Sequence, residues 1–183
     1  MDKYQVLKET FGYTTFRQGQ ERLVDSTLSG RDVLGIMPTG AGKSICFQVP
    51  ALLFSGITIV ISPLSSLTEG QFRKAMEFAR KGRYKIIYAA PERLMTESFL
   101  ALAQEVPISM VAVDEAHCIS QWGQDFRPSY LKIVDFIQQL PMRPVLAAYT
   151  ATATKAVKED ILCILGLKNP DVLVTGYDRK NLY

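Results

Sequence analysis

Short apolar runs rich in Val and Ile alternate along this chain with longer stretches of helical periodicity, and that alternation restricts the fold more than any other feature. Val33–Met37, Ile57–Ile61, Lys85–Ala89, Met110–Val113 and Val145–Tyr149 read as buried strands, with Val172–Val174 a sixth. Near-continuous apolar runs of about four to eight residues are what strands covered on both faces require. Between them the periodicity predicts helices at Gln20–Leu28, Lys43–Phe54, Gln71–Arg80, Glu92–Glu105, Ser129–Gln139 and Lys155–Leu165. Strand and helix in turn imply an α/β fold of three layers, a mostly parallel sheet with helices on both faces. Ligands of such sheets sit at the carboxyl ends of the strands, and every chemistry-bearing motif of this chain falls there.

The composition suits one domain with a packed core. Of 183 residues, 48% are apolar and 21% charged, as in ordinary globular proteins. A net charge of +3 and a pI near 8.7 permit a nucleic-acid partner without demanding one. Cys46, Cys118 and Cys163 have no paired metal-ligand spacing and read as reduced thiols of a cytosolic protein. The opening Met1-Asp2-Lys3-Tyr4 has no signal-peptide character. No apolar stretch approaches the roughly 20 residues that cross a bilayer, so no membrane partner is expected.

Met37-Pro38-Thr39-Gly40-Ala41-Gly42-Lys43-Ser44 follows a strand and opens a helix. Gly40 and Gly42 let backbone N–H groups turn toward an anion, and the helix start adds partial positive charge. In such a phosphate loop Lys43 reaches the β and γ phosphates and Ser44 ligates Mg²⁺. The strict pattern wants Gly where Met37 stands. A Gly-rich turn that merely caps a helix is the plain alternative, and the flanking strand and helix disfavour it. Met110–Val113 then delivers Asp114-Glu115-Ala116-His117 at another strand end. Asp114 suits a second Mg²⁺ ligand through water, and Glu115 suits positioning and deprotonation of an attacking water. Phosphoryl transfer needs these groups about one strand from the lysine, which predicts that the two strands are adjacent. His117, the single histidine, follows the acidic pair directly and reads as a coupler rather than a base.

Phe11–Gln20 precedes a helix. The Gln20 amide can pair with an adenine edge, Tyr13 can stack on the base, and Arg17 can stack or donate. Equally, Tyr13 and Phe16 can be core anchors and Gln20 a cap. Arg80-Lys81-Gly82-Arg83-Tyr84-Lys85 reads as a solvated basic turn, since phosphate contact needs a facing geometry.

With these residues in place, the chain resembles the RecQ branch of superfamily 2 DNA helicases over nearly its whole length. The resemblance covers only the first of that family's two RecA-like motor lobes. Leu7–Gln20 resembles the nucleotide-specificity motif, and it implies adenine contacts for Tyr13, Arg17 and Gln20. Met37–Ser44 resembles motif I in its superfamily 2 form, which accepts Met37 and cradles phosphates with Thr39, Gly40, Ala41, Gly42, Lys43 and Ser44. Ser62-Pro63-Leu64 resembles the start of motif Ia, Ala90–Leu94 motif Ib, Asp114–His117 motif II and Thr150-Ala151-Thr152 motif III. His117–Pro128 resembles the aromatic-rich loop that couples DNA to ATP hydrolysis. That likeness implies DNA-coupling roles for Gln121, Trp122, Phe126, Arg127, Thr150 and Thr152. Trp122 and Phe126 offer stacking surfaces for unpaired bases, and Arg127 offers charge. Gln124 departs from relatives that carry His there.

The resemblance implies an ATP-dependent 3′→5′ DNA helicase using ATP and Mg²⁺. It implies action on single-stranded DNA and duplex junctions in repair and recombination, in a bacterial cytoplasm at the nucleoid or in a eukaryotic nucleus. The alternatives are a nucleotide- and DNA-binding lobe of another superfamily 2 translocase, with little turnover of its own, and an RNA helicase of the Asp-Glu-Ala-Asp type. His117 and the Trp122 loop argue against the last. Residues 1–176 are expected to form the lobe, and Tyr177–Tyr183 the start of a linker to a second lobe bearing an arginine finger. The family's pattern also continues after Ser62-Pro63-Leu64 with roughly 20–30 residues, about one strand–helix unit, that this chain lacks before Ser65-Ser66-Leu67-Thr68. Either the unit is truly deleted or the backbone is interrupted there; since loss of such a unit should expose core, an interruption between Leu64 and Ser65, give or take a few residues, is expected, and a continuous bond would mean a real deletion.

Overall fold

The computed structural model describes residues 1–63 and 68–176, the side chain of Glu69 apart. Among the described residues, six strands form one all-parallel sheet: β1 (Val33–Ile36), β2 (Ile57–Ile61), β3 (Ile86–Ala89), β4 (Ile108–Val113), β5 (Val145–Thr150) and β6 (Asp171–Val174). Their spatial order is β3-β2-β4-β5-β1-β6. Strand side chains alternate between faces, and both faces are apolar. Ile57, Ile59 and Ile61 of β2 enter one buried cluster while Val60 enters the other.

The first face is covered by α4 (Glu69–Arg80), α5 (Glu97–Glu105), α6 (Lys132–Gln139) and α7 (Lys155–Ile164), through Phe72, Phe99, Phe136 and Ile161 among others. The second is covered by α2 (Gln20–Leu28) and α3 (Lys43–Leu53), through Leu23, Cys46, Phe47 and Ala51. There Gly35 of β1 has a steric reason. A Cβ on it would stand 2.9 Å from the Tyr149 ring and 3.0 Å from Leu23. The three-layer α/β fold predicted from the alternation is thus observed.

At the amino ends of the strands, Asp32 is buried at 2% exposure. Its carboxylate accepts from Arg143 Nη1 (3.1 Å) and Nη2 (2.6 Å), Leu146 N (2.9 Å) and Lys168 N (2.7 Å). One satisfied anion therefore pins the starts of β1 and β5 and the turn after α7 together, leaving the opposite edge for the site.

Four expectations need correction. The periodicity gives no helix before Gln20, yet α1 (Lys3–Phe11) forms there. It is started by a reciprocal Asp2–Gln5 capping box and packs Val6 and Leu7 on α2 and α3. The single helix expected at Glu92–Glu105 is a 3₁₀ turn, Pro91–Arg93, followed by α5, with Thr96 Oγ1 donating to the Arg93 carbonyl at 2.8 Å. Ser129–Gln139 likewise opens with a 3₁₀ turn, Pro128–Leu131, before α6. Finally, β1 and β4 are not adjacent, because β5 lies between them. At about 4.8 Å per strand, the two motifs stand roughly 10 Å apart rather than one spacing.

The interruption expected between Leu64 and Ser65, and the linker expected at Tyr177–Tyr183, lie outside the described residues. Their flanks are informative nonetheless. α4 connects β2 to its neighbour β3, the sheet's edge strand, and Ile87 and Ala89 of β3 are buried. The half-exposed Tyr88 receives a hydrogen bond from Gln48 Nε2 at 2.9 Å.

Candidate nucleotide and nucleic-acid site

β1 is buried throughout and delivers Met37, also fully buried, to the carboxyl edge of the sheet. Met37 N donates to Thr150 O at 2.9 Å, so the loop starts from a fixed point on β5. Gly40 and Gly42 then take φ of +83° and +81°, the left-handed conformation that glycine adopts without penalty. Gly42 also needs to be small, since a Cβ there would lie 2.5 Å from Gln20 Nε2. The N–H groups of Gly40, Gly42, Lys43 and Ser44 find no acceptor among the described residues. Convergent unpaired amides at a helix start are the chemistry of an anion site. Lys43 lies beside them, its Nζ donating only to Met37 O at 3.2 Å, and it makes no ion pair among the described residues. The site thus fits phosphate oxygens.

The loop is supported from outside by the segment before α2. Arg17 Nη1 donates to Gly40 O at 2.7 Å, and Gln20 Nε2 donates to Ala41 O at 3.1 Å and Gly42 O at 3.0 Å. Gln20 Oε1 accepts from Arg17 N at 2.8 Å, and Gln20 is only 3% exposed. Both amide hydrogens of Gln20 are therefore engaged, and a second lone pair on Oε1 is what remains for a base. A cavity of about 380 Å³ opens beside it, lined by Phe11, Tyr13, Arg17, Gln20, Ser44 and Gln48 among others. Tyr13 is half-exposed there. Phe16 instead packs against Tyr4 with ring centroids 5.8 Å apart, so the core-anchor reading holds for Phe16 and not for Tyr13.

β4 ends by handing Asp114 N to Ile61 O at 2.8 Å. Asp114 Oδ1 accepts from Glu115 N at 3.0 Å, and the buried Tyr130 hydroxyl donates to Asp114 O at 3.1 Å. Glu115 has φ 50° and ψ 46°, a left-handed conformation that costs a non-glycine residue on the order of 1 kcal/mol or more. The turn opens a 3₁₀ helix, Ala116–Ile119, that brings His117 back over β5. His117 Nδ1 lies 2.8 Å from Thr150 Oγ1, which itself donates to Thr152 O at 3.0 Å. The single hydroxyl hydrogen being so used, Nδ1 must carry the proton and donate. Glu115 Oε2 is 3.3 Å from the same nitrogen.

Beyond His117 the loop through Arg127 folds back on itself. Gly123 N donates to Ser120 O at 3.0 Å, Arg127 N donates to Cys118 O at 2.8 Å, and Asp125 Oδ2 stands 3.7 Å from His117 Nε2. Trp122 is 77% exposed. Gln121 and Arg127 are also exposed, and Phe126 is half-buried. Of the two expected stacking surfaces, the indole is thus the open one. Trp122, His117 and Thr152 border one cavity of about 390 Å³, which brings the aromatic loop and Thr150–Thr152 together. Sequence reading put Asp125 in the aromatic loop without a role, and it missed Thr154 and Val157 in this lining, because pairs distant in the chain leave no spacing pattern.

The basic turn stays apart from both cavities. Arg80 pairs with Glu105 and Lys81 with Glu77. Lys85 Nζ donates to the Phe54 and Ser55 carbonyls at 2.8 and 2.9 Å, and Arg83 lies over Phe78.

A parallel sheet with a glycine-rich loop of unpaired amides at one strand end and an acidic turn two strands away is the architecture of a RecA-like nucleotide-binding domain. The DEAD/DEAH box helicase family model matches residues 17–160, and the chain belongs to that family. It is 44% identical over 199 aligned positions to an ATP-dependent DNA helicase RecQ of Pasteurella multocida, covering 97% of this chain and 31% of that protein. It is 42% identical to the RecQ helicase of Bacillus subtilis, covering 97% and 34%. The chain thus spans about a third of these relatives' length. Since 97% of 183 residues is about 178, some 21 of the 199 positions have no counterpart here, in size about the strand–helix unit that the sequence pattern lacks. Among solved structures, the DUF1998 helicase MrfA bound to DNA superposes with a TM-score of 0.71 at 12% identity, covering 96% of this chain and 28% of that one. It supports the fold, which is that of RecA-like helicase lobes.

Proposed function

We propose that this chain is the first motor lobe of a RecQ-type ATP-dependent 3′→5′ DNA helicase, joined in the whole protein to a second RecA-like lobe. The observation that carries the reading is the continuous hydrogen-bonded path from phosphate loop to open aromatic. Met37 binds Thr150, Thr150 binds His117, and His117 begins the turn that presents Trp122. The unpaired amides from Gly40 to Ser44, with Thr39 and Ala41 shaping the turn, hold the phosphates of ATP. Lys43 neutralises the β and γ groups. Tyr13, Arg17 and the free Gln20 lone pair face the base. Mg²⁺, held by Ser44 and through water by Asp114, would supply charge neutralisation on the β and γ oxygens. Glu115 takes the proton of the water that attacks the γ phosphorus as the bond to the β–γ bridging oxygen breaks. His117 relays the state of that site to Thr150, Thr152 and the loop bearing Gln121, Trp122, Phe126 and Arg127, where unpaired bases stack.

The partner in this reading is DNA, at single strands and duplex junctions. The compartment is a bacterial cytoplasm or a eukaryotic nucleus. Isothermal calorimetry of MgATP against the wild-type chain and Lys43→Ala tests the nucleotide half. Affinity should fall at least tenfold when one charge-assisted contact is lost. Equal affinities would refute the phosphate-loop assignment.

A further inference from the structure

Ser120 closes the 3₁₀ helix that carries His117 and is fully buried. Its hydroxyl donates to Asp160 Oδ2 at 2.6 Å and accepts the backbone N–H of Trp122 at 3.1 Å. Asp160 lies on α7, the helix that begins just after Thr150–Thr152, and it is half-buried without an ion-pair partner among the described residues. A carboxylate partly withdrawn from water with no ion-pair partner loses some hydration, which its hydrogen bond offsets. A short O–H···O⁻ bond belongs to the stronger class. Core packing alone does not require this arrangement, for Val157 and Ile161 already seat α7 in the same buried cluster as Ile119.

Two bonds therefore tie the same two segments. His117–Thr150 links the acidic box to the end of β5, and Ser120–Asp160 links the root of the aromatic loop to the helix that continues from it. We propose that Asp160 is a positioning residue. It orients the Ser120 hydroxyl so that its lone pair holds the Trp122 N–H, and so makes the indole move with α7 and Thr150–Thr152 as one body. The inference rests on reading the Trp122 loop as the nucleic-acid contact. With the second tie cut, His117–Thr150 is left as the hydrogen bond that joins these two segments, and the Trp122 N–H loses the acceptor that fixes the direction of the indole.

Trp122 is the single tryptophan of the chain, so intrinsic fluorescence reports the loop itself. In Asp160→Ala, steady-state anisotropy of Trp122 should fall. Affinity for an oligo-dT strand, read from the same indole, should weaken about tenfold, the scale of one charge-assisted hydrogen bond. MgATP affinity by calorimetry should stay at the wild-type value. Asp160→Asn keeps an oxygen acceptor and should restore most of both signals, which a merely structural role of the carboxylate would not produce. Wild-type anisotropy in Asp160→Ala, or an Asn variant as impaired as Ala, would overturn the proposal. If Asp160→Ala fails to fold by circular dichroism, Ser120→Ala cuts the same bond from the loop side, and wild-type anisotropy there overturns it equally. Failure of the wild-type chain to bind oligo-dT would sink the nucleic-acid reading, while the anisotropy comparison would still decide the tie.

Discussion

Glu115 shows how a single residue joins strain to chemistry. Its left-handed backbone turns the chain so that His117 meets Thr150, and it leaves the carboxylate at the carboxyl edge of the sheet, where the proposed function puts the attacking water. Glu115→Gln keeps the turn and the shape but removes the carboxylate that the proposed function uses as base. In a two-lobe protein carrying this lobe, MgATP affinity should stay within about twofold while hydrolysis drops by about 10²–10⁴, the usual contribution of a general base. Near wild-type turnover would mean that another group positions the water. The thiols make a second residue-level prediction. Burial pushes the Cys46 thiol up to about 12 and also raises Cys118, whereas Cys163 is exposed. Since the thiolate is the reactive form, a disulfide reagent at neutral pH should modify one thiol per native chain and all three after denaturation. Fast labelling of a second thiol would show that one of the two buried sites opens.

At the level of elements, attachment of β6 to α2 depends on charge. Asp171, at the start of β6, is 5% exposed and accepts from Arg22 Nε at 3.0 Å and from Ser26 Oγ at 2.7 Å. The Arg22 hydrogen bond, seconded by Ser26, holds its carboxyl below the usual carboxylate range despite burial. A depressed folded value means that the contribution is complete above the unfolded value near 4 and is lost as pH falls through the folded one. Asp171→Asn should therefore lower Tm by about 2–4 °C at neutral pH, the scale of one modest interaction, with the difference from wild type closing below about pH 4. A pH-independent difference in a thermal melt series would assign the clasp to packing instead. The sequence shows neither this pair nor Asp32 with Arg143, because residues more than a hundred positions apart leave no period. The strands were legible because both faces of the sheet are apolar, and the phosphate loop because its chemistry is contiguous. α1 escaped because it buries only Val6 and Leu7, too few for a helical stripe, although Asp2 and Gln5 signalled its start. The separation of β1 from β4 was illegible for another reason. Strand order follows from how helices pack across the sheet, not from any single segment.

For the whole molecule, the site stands at an open edge. The phosphate loop, acidic turn and aromatic loop all face outward from one sheet edge, and among the described residues nothing covers Ser44, Trp122 or Thr152, all exposed. In this setting the γ phosphate would be bathed in water, where charges separated by a few ångströms interact only weakly. A transition state needs donors fixed around its developing charge, and in phosphate-loop enzymes an arginine finger adds about 10³–10⁵ in rate. Unwinding further requires two bodies that close and open around ATP while each grips a stretch of strand. The family relatives are about three times as long as this chain, which leaves ample room for the second body. Residues 1–183 alone should therefore bind MgATP weakly and show negligible DNA-stimulated hydrolysis. They should displace no strand from a 3′-tailed duplex in a gel assay. Addition of a second lobe should restore stimulation, and Trp122→Ala in that two-lobe protein should keep basal turnover while cutting the stimulation by DNA. Phe126→Ala, being half-buried, should cut it less. Robust strand displacement by the purified chain, with Lys43→Ala inactive in parallel to exclude a contaminating helicase, would overturn the two-lobe mechanism.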